Sequence, residues 1–240
     1  MKVDIVKNKL QLFNCENICS LGIRCIPSQV MVQLNIKEES LPFDWTQSNP
    51  QIILDCLKNN FKDYNDFEYS KITELYDLHI RYSKLTQLHP DLEKSEYNGF
   101  INKYGMVFTH YTHYKKDAFQ DMCKRRCERF MNILKSNKRI LFVYMADTNL
   151  ERIQEQEKQY NYLLDLEKYF IKEYPLLQFK ILCIQNIKRE DTDNILNLHN
   201  NNNSQIENKN WGSGYDNTMY NLCKELFHYI PKKKPKAKFE

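Results

Sequence analysis

Arg139-Ile140-Leu141-Phe142-Val143-Tyr144 is followed, one long amphipathic stretch later, by Phe179-Lys180-Ile181-Leu182-Cys183-Ile184. Both are short and nearly continuous in apolar residues, the pattern of strands buried on two faces. Between them, Leu150 to Tyr174 carries Ile153, Tyr160, Leu163, Leu164, Leu166 and Phe170 at helical spacing. Strand, crossing helix and strand make a βαβ unit, and such units build parallel sheets.

The same rhythm extends upstream. Ala118 to Leu134 reads as a helix and Met106-Val107-Phe108-Thr109 as a strand. Near the amino terminus, Asn17-Ile18-Cys19-Ser20-Leu21-Gly22 reads as a strand closing on a glycine turn. From Pro27 to Leu34, Val30, Met31 and Leu34 share one helical face, with Pro27 suited to a first turn. A further helix starts near Pro50, capped by Ser48 or Asn49, and runs to Phe61. Downstream, residues 191–216 are polar and asparagine-rich and read as a surface loop. Asn217 to Tyr229 reads as a last helix, ended by Pro231, with 231–240 a disordered basic tail. The expected fold is a single three-layer α/β domain over residues 1–230. Its sheet is mainly parallel, and a helical or irregular insertion occupies 47–102.

Composition sets the outer bounds. A chain of 240 residues that is 42% hydrophobic and 28% charged can bury a core without staples. No run approaches the roughly 18 consecutive apolar residues of a membrane helix, and from Met1 to Ile5, with no apolar stretch after a basic patch, no secretory leader is expected. Eight irregularly spaced cysteines fit reduced thiols and a cytoplasmic location better than a disulfide scaffold. The net charge is +4, and the last nine residues alone carry that excess. The remaining body is neutral, which argues against a dedicated nucleic-acid-binding face. Lys232, Lys233, Lys234, Lys236 and Lys238 fit a polyanion contact or a nuclear import signal as well as a solubilising end. With five glycines neither a P-loop nor a dinucleotide fingerprint can be written, and no cofactor is expected.

The candidate chemistry sits at the front, in Ser20-Leu21-Gly22-Ile23-Arg24-Cys25-Ile26-Pro27. A strand ends, a glycine permits a tight turn, and Cys25 arrives at a helix N-terminus. There unpaired N–H groups and the helix dipole favour thiolate, and carboxyl ends of parallel strands are where α/β folds bind ligands. The plainer reading is a small buried hydrophobe. A thiolate nucleophile needs a base, and Phe108-Thr109-His110 places His110 after a strand, expected at the same sheet edge as Cys25. Structural capping would serve equally for a histidine there. Leu41-Pro42-Phe43-Asp44-Trp45 offers Asp44 to orient the histidine, or simply a turn anchored by two aromatics. His110-x2-His113 and Cys123-x3-Cys127 supply four zinc-type ligands. Their nine-residue gap lacks a turn glycine, and both cysteines fit a core-facing stripe, so no metal site is expected.

Taken in order, Ser20-Leu21-Gly22-x-x-Cys25, Pro42-Phe43-Asp44-Trp45, Phe108-x-His110 and the segment from Arg126 to Val143 carry a resemblance. The chain resembles a family of uncharacterised proteins of bacteria and large DNA viruses labelled papain-like cysteine peptidases. The likeness spans about residues 17 to 186. It implies a thiol hydrolase with Cys25 as nucleophile and His110 as base, although the alternating βα rhythm fits a doubly wound sheet better than a papain architecture. Asp44, Asp147 and Asn186 are all candidates for a third member. Gly22, Arg24, Ile26 and Trp45 are candidates for substrate or oxyanion contacts, and the substrate would be a peptide or another acyl compound. The competing reading is a non-catalytic module binding a sugar, nucleotide or protein, with Tyr111, Tyr114 and Trp211 as its contact surface.

Overall fold

The computed structural model describes residues 2–22, 25–46, 48–71, 98–108, 110–111, 114–146, 153–185, 187–199 and 214–233. Its centre is a four-stranded parallel sheet of β1 (Asn17–Ser20), β5 (Arg139–Met145), β6 (Gln178–Gln185) and β7 (Ile195–His199), in the spatial order β1-β5-β6-β7. Side chains alternate between the faces of a strand. Ile140, Phe142 and Tyr144 of β5 therefore enter one core, while Leu141, Val143 and Met145 enter the other. Both faces are dry, which is why this strand reads as one apolar run.

Helices close each face. On one side lie α1 (Lys2–Phe13), α2 (Ile26–Gln33) and α6 (Gly214–Leu226), which contribute Val6, Leu10, Val30, Met31, Cys223 and Leu226. On the other lie α3 (Pro50–Lys58), α4 (Lys116–Leu134) and α5 (Ile153–Glu173), with Ile52, Phe130 and Phe170 among their core residues. Three layers result, as an α/β chain of this patterning requires. At α3, Asn49 is the cap: its side-chain oxygen accepts the Ile52 amide at 2.9 Å, and Pro50 opens the first turn.

Two expectations need correction. The strand before His110, β4 (Val107–Phe108), is not part of the parallel sheet. With β2 (Phe67–Lys71) and β3 (Asn98–Asn102) it forms a separate antiparallel sheet of order β2-β3-β4. That sheet packs on α4 through Phe119, whose ring lies 4.6 Å from Phe67 and 4.9 Å from Phe100. The region 47–102 thus supplies α3 and two strands as well as residues 72–97, which lie outside the described residues.

Residues 195–199, expected in a polar loop, form β7 instead and pair in parallel with β6 from Ile181↔Ile195 to Gln185↔His199. Asn197 is 1% exposed yet satisfied: its amide nitrogen donates to Tyr160 Oη and the Glu190 carbonyl, and its oxygen accepts from Gln185. Of the lysine tail, Lys232 and Lys233 are described. The Lys233 ammonium donates to the Glu16 carbonyl at 2.7 Å and to Asn17 Oδ1 at 3.1 Å, and residues 234–240 lie outside the described residues. No helix among the described residues is long and apolar enough to cross a membrane.

Candidate functional site

β1 runs out at Ser20, and the chain turns through Gly22 at φ +76°, a conformation that an L side chain resists. The Leu21 amide still donates to the Val143 carbonyl, and the Gly22 amide donates to Ser20 Oγ at 3.1 Å. A Cβ on residue 22 would stand 2.1 Å from Ser48 Oγ and 3.5 Å from the Phe43 carbonyl oxygen. Glycine is therefore needed twice, for the turn and for the close approach of the loop 41–48.

Cys25 is the N-cap of α2, and its carbonyl accepts the Gln29 amide at 2.9 Å. None of the eight cysteines is in a disulfide, and Cys25 alone is not buried. Burial pushes Cys15 up to about 11 and Cys19, Cys123 and Cys223 up to about 12, and raises Cys127 and Cys183 as well. Those thiols stay protonated at neutral pH. Cys123 and Cys127 face the core from α4 beside Phe119 and Phe130. Ile26 is buried in the core beneath α2, so what it can offer a ligand at this turn is backbone.

Across the loop, Trp45 is half-buried, and its ring meets the His110 imidazole edge-on, with centroids 5.7 Å apart and planes at 76°. His110 is exposed as a residue, but partial burial of its ring holds its pKa below the ordinary 6.5. It is therefore neutral at pH 7 and able to accept a proton. Asp44 turns the other way. It is fully buried, 2.6 Å from the Lys37 ammonium, and accepts the Leu41 amide at 2.6 Å.

Of the residues singled out in the sequence, Gly22 meets the loop carrying Trp45, and Trp45 meets His110. Asp44 enters the core beside them. Ile23, Arg24, His113, Asp147, Asn186 and Trp211 lie outside the described residues.

Two buried charged groups escaped the sequence reading. Lys37 is 1% exposed, in a polar string with no periodicity to mark it. Arg126, 4% exposed, donates to Tyr111 Oη at 2.6 Å, and its guanidinium sits 5.1 Å from the Tyr111 ring centroid. Its signal was present, since it shares a helical stripe with Phe119, Cys123 and Phe130. Ser48 Oγ, a candidate cap in the sequence, is buried against Gly22 and makes no hydrogen bond among the described residues.

The profile of the family described as "Putative papain-like cysteine peptidase" matches residues 16–189. The chain belongs to this family. The matched segment contains the Gly22 turn, the Trp45 loop, His110 and strands β1 to β6, and it ends before β7 and α6. An uncharacterized protein of Acanthamoeba polyphaga mimivirus is 27% identical over 186 residues, covering 70% of this chain and 76% of its own length. No solved structure matches the chain.

Proposed function

We propose that this member of the family is a cysteine-dependent hydrolase in which Cys25 is the nucleophile and His110 the base. The observation that carries the reading is the contrast among the thiols. Seven are buried, and the eighth stands at a helix N-terminus beyond the carboxyl end of a parallel strand. A helix N-terminus stabilises a thiolate through its unpaired N–H groups and dipole. The neutral His110 imidazole is the proton acceptor that such a pair requires.

In the reaction, the Cys25 Sγ–H proton passes to His110 and the sulfur bonds to the substrate carbonyl carbon. Backbone N–H groups of the Gly22–Ile26 turn receive the negative oxygen. The leaving group departs with the proton held by His110, and water then releases the acyl group and restores the thiol. Arg24 and Trp45 are the side chains assigned to contact a peptide or other acyl substrate. Asp44 is paired with Lys37 in the core and serves the site by holding the loop that carries Trp45.

Alkylation of Cys25 by iodoacetamide across pH, in wild type and His110→Ala, tests the reading by peptide mass spectrometry. Fast labelling below pH 7 that falls at least tenfold in the variant is expected. Labelling that follows an ordinary thiol near pH 8.5 in both proteins would leave a binding module for a sugar, nucleotide or protein as the better account.

A further inference from the structure

We propose that Trp45 is a positioning residue for His110, presented by a loop that the buried Lys37–Asp44 ion pair holds in place. The proposal rests on the reading of His110 as the base and adds the part that aims its ring. Trp45 has φ +58°, in the left-handed region that large side chains avoid. Such a conformation persists where the surroundings impose it, and it gathers at functional sites.

The surroundings here impose it from both sides. Before Trp45, the Asp44 amide donates to the Leu41 carbonyl at 3.2 Å, while the Asp44 carboxylate accepts the Leu41 amide and pairs with Lys37. Phe43 is buried edge-on against Phe130, with centroids 5.3 Å apart, and the Pro42 carbonyl accepts Tyr64 Oη at 2.6 Å. After Trp45, Thr46 and Ser48 are buried. Trp45 is thus the half-exposed residue in a loop whose other described members, Leu41 to Ser48, are buried.

His110 has matching surroundings. Two residues before it, Phe108 is buried in β4. One residue after it, Tyr111 is buried, bonded to Arg126 and stacked on Phe119 with centroids 5.0 Å apart. The backbone of His110 is therefore held at both ends, and its ring is left to be oriented by what it touches. An edge-to-face aromatic contact has a preferred geometry, so the Trp45 indole limits the ring planes the imidazole can adopt. Ordinary surface packing would not call for a tryptophan held in a left-handed conformation beside a titrating ring.

The test combines NMR with alkylation on the full chain. In wild type, with His110 assigned through His110→Gln, nuclear Overhauser contacts between the Trp45 indole and the His110 ring protons are expected. Their absence would overturn the proposal without any variant. In Trp45→Leu, which keeps apolar bulk and removes the ring, the His110 titration midpoint shifts and Cys25 alkylation at pH 7 slows at least tenfold. In Trp45→Phe both stay within threefold of wild type. A His110 titration in Trp45→Leu that superimposes on wild type would also overturn it. If His110→Ala leaves Cys25 alkylation unchanged, the base assignment fails, and the His110 titration in the Trp45 variants still decides whether Trp45 positions the ring.

Discussion

Lys37 Nζ and Asp44 Oδ2 lie 2.6 Å apart, and the two side chains are 1% and 0% exposed. A pair this dry offsets its desolvation only while both charges are present. Lys37→Met leaves a buried carboxylate without its cation and should cost about 3–5 kcal/mol. Asp44→Asn keeps an oxygen for the Leu41 amide and strands the ammonium, with a similar cost. The double variant should lose far less than the sum, because neither charge remains. Urea denaturation of the three proteins measures this, and additive losses would mean that the two groups do not act on each other.

Gly22 makes a second, separable prediction. Alanine there meets the left-handed backbone, at about 1–2 kcal/mol, and also the overlap with Ser48 Oγ at 2.1 Å. Ser48→Ala removes the overlap and leaves the backbone strain. Since Ser48 Oγ is buried without a hydrogen-bond partner among the described residues, that single change should be neutral or stabilising, by up to about 1 kcal/mol. Gly22→Ala with Ser48→Ala should therefore be more stable than Gly22→Ala alone. Equal melting temperatures for the two would show that the loop yields to a methyl group.

The sequence announces structure where local pattern suffices and hides it where a distant partner decides. β5, α5 and β6 are legible because a run buried on both faces, followed by a long helical stripe, admits few other arrangements. Asn49 before Pro50 is legible because a cap bonds within three residues. β7 is not, because what makes Asn197 acceptable in a dry sheet is Tyr160, far away in sequence. Nor does a two-residue strand such as β4 reveal which sheet it joins. At the site, Cys25, His110 and Trp45 stand out as residue types in short strings. Lys37 looks like a solvated lysine until the fold brings Asp44 to it.

His110 supplies a pH dependence with a definite sign. Its folded pKa lies below the ordinary 6.5 because burial of the ring penalises the charged form. Between those two values the unfolded chain binds more protons, so stability rises with pH through a window ending near 6.5 and falls as the solution is acidified through it. His110→Gln removes this part of the slope. Denaturation midpoints at half-unit steps from pH 5 to 8 should show a flatter curve for the variant, the two converging in shape above pH 7. Parallel curves throughout would mean that the ring titrates as it does in the unfolded chain.

Asn197 concentrates the stability of the β7 edge in one side chain. It joins Gln185 of β6, Tyr160 of α5 and the Glu190 carbonyl in the connection between the strands. Its backbone amide donates to Asp191 Oδ1 at 2.8 Å. Alanine removes three side-chain hydrogen bonds and leaves buried partners unsatisfied, a loss of about 2–4 kcal/mol. Leucine fills the volume but cannot satisfy those partners, so it should recover little. The effect is local before it is global, because among the described residues β7 is an edge strand paired with β6 alone. Native-state hydrogen exchange should therefore show amides of Ile195 to His199 losing protection in Asn197→Ala while those of Ile140 to Tyr144 fall only as far as overall stability does. Uniform loss across both strands would mean that β7 does not open independently of the sheet.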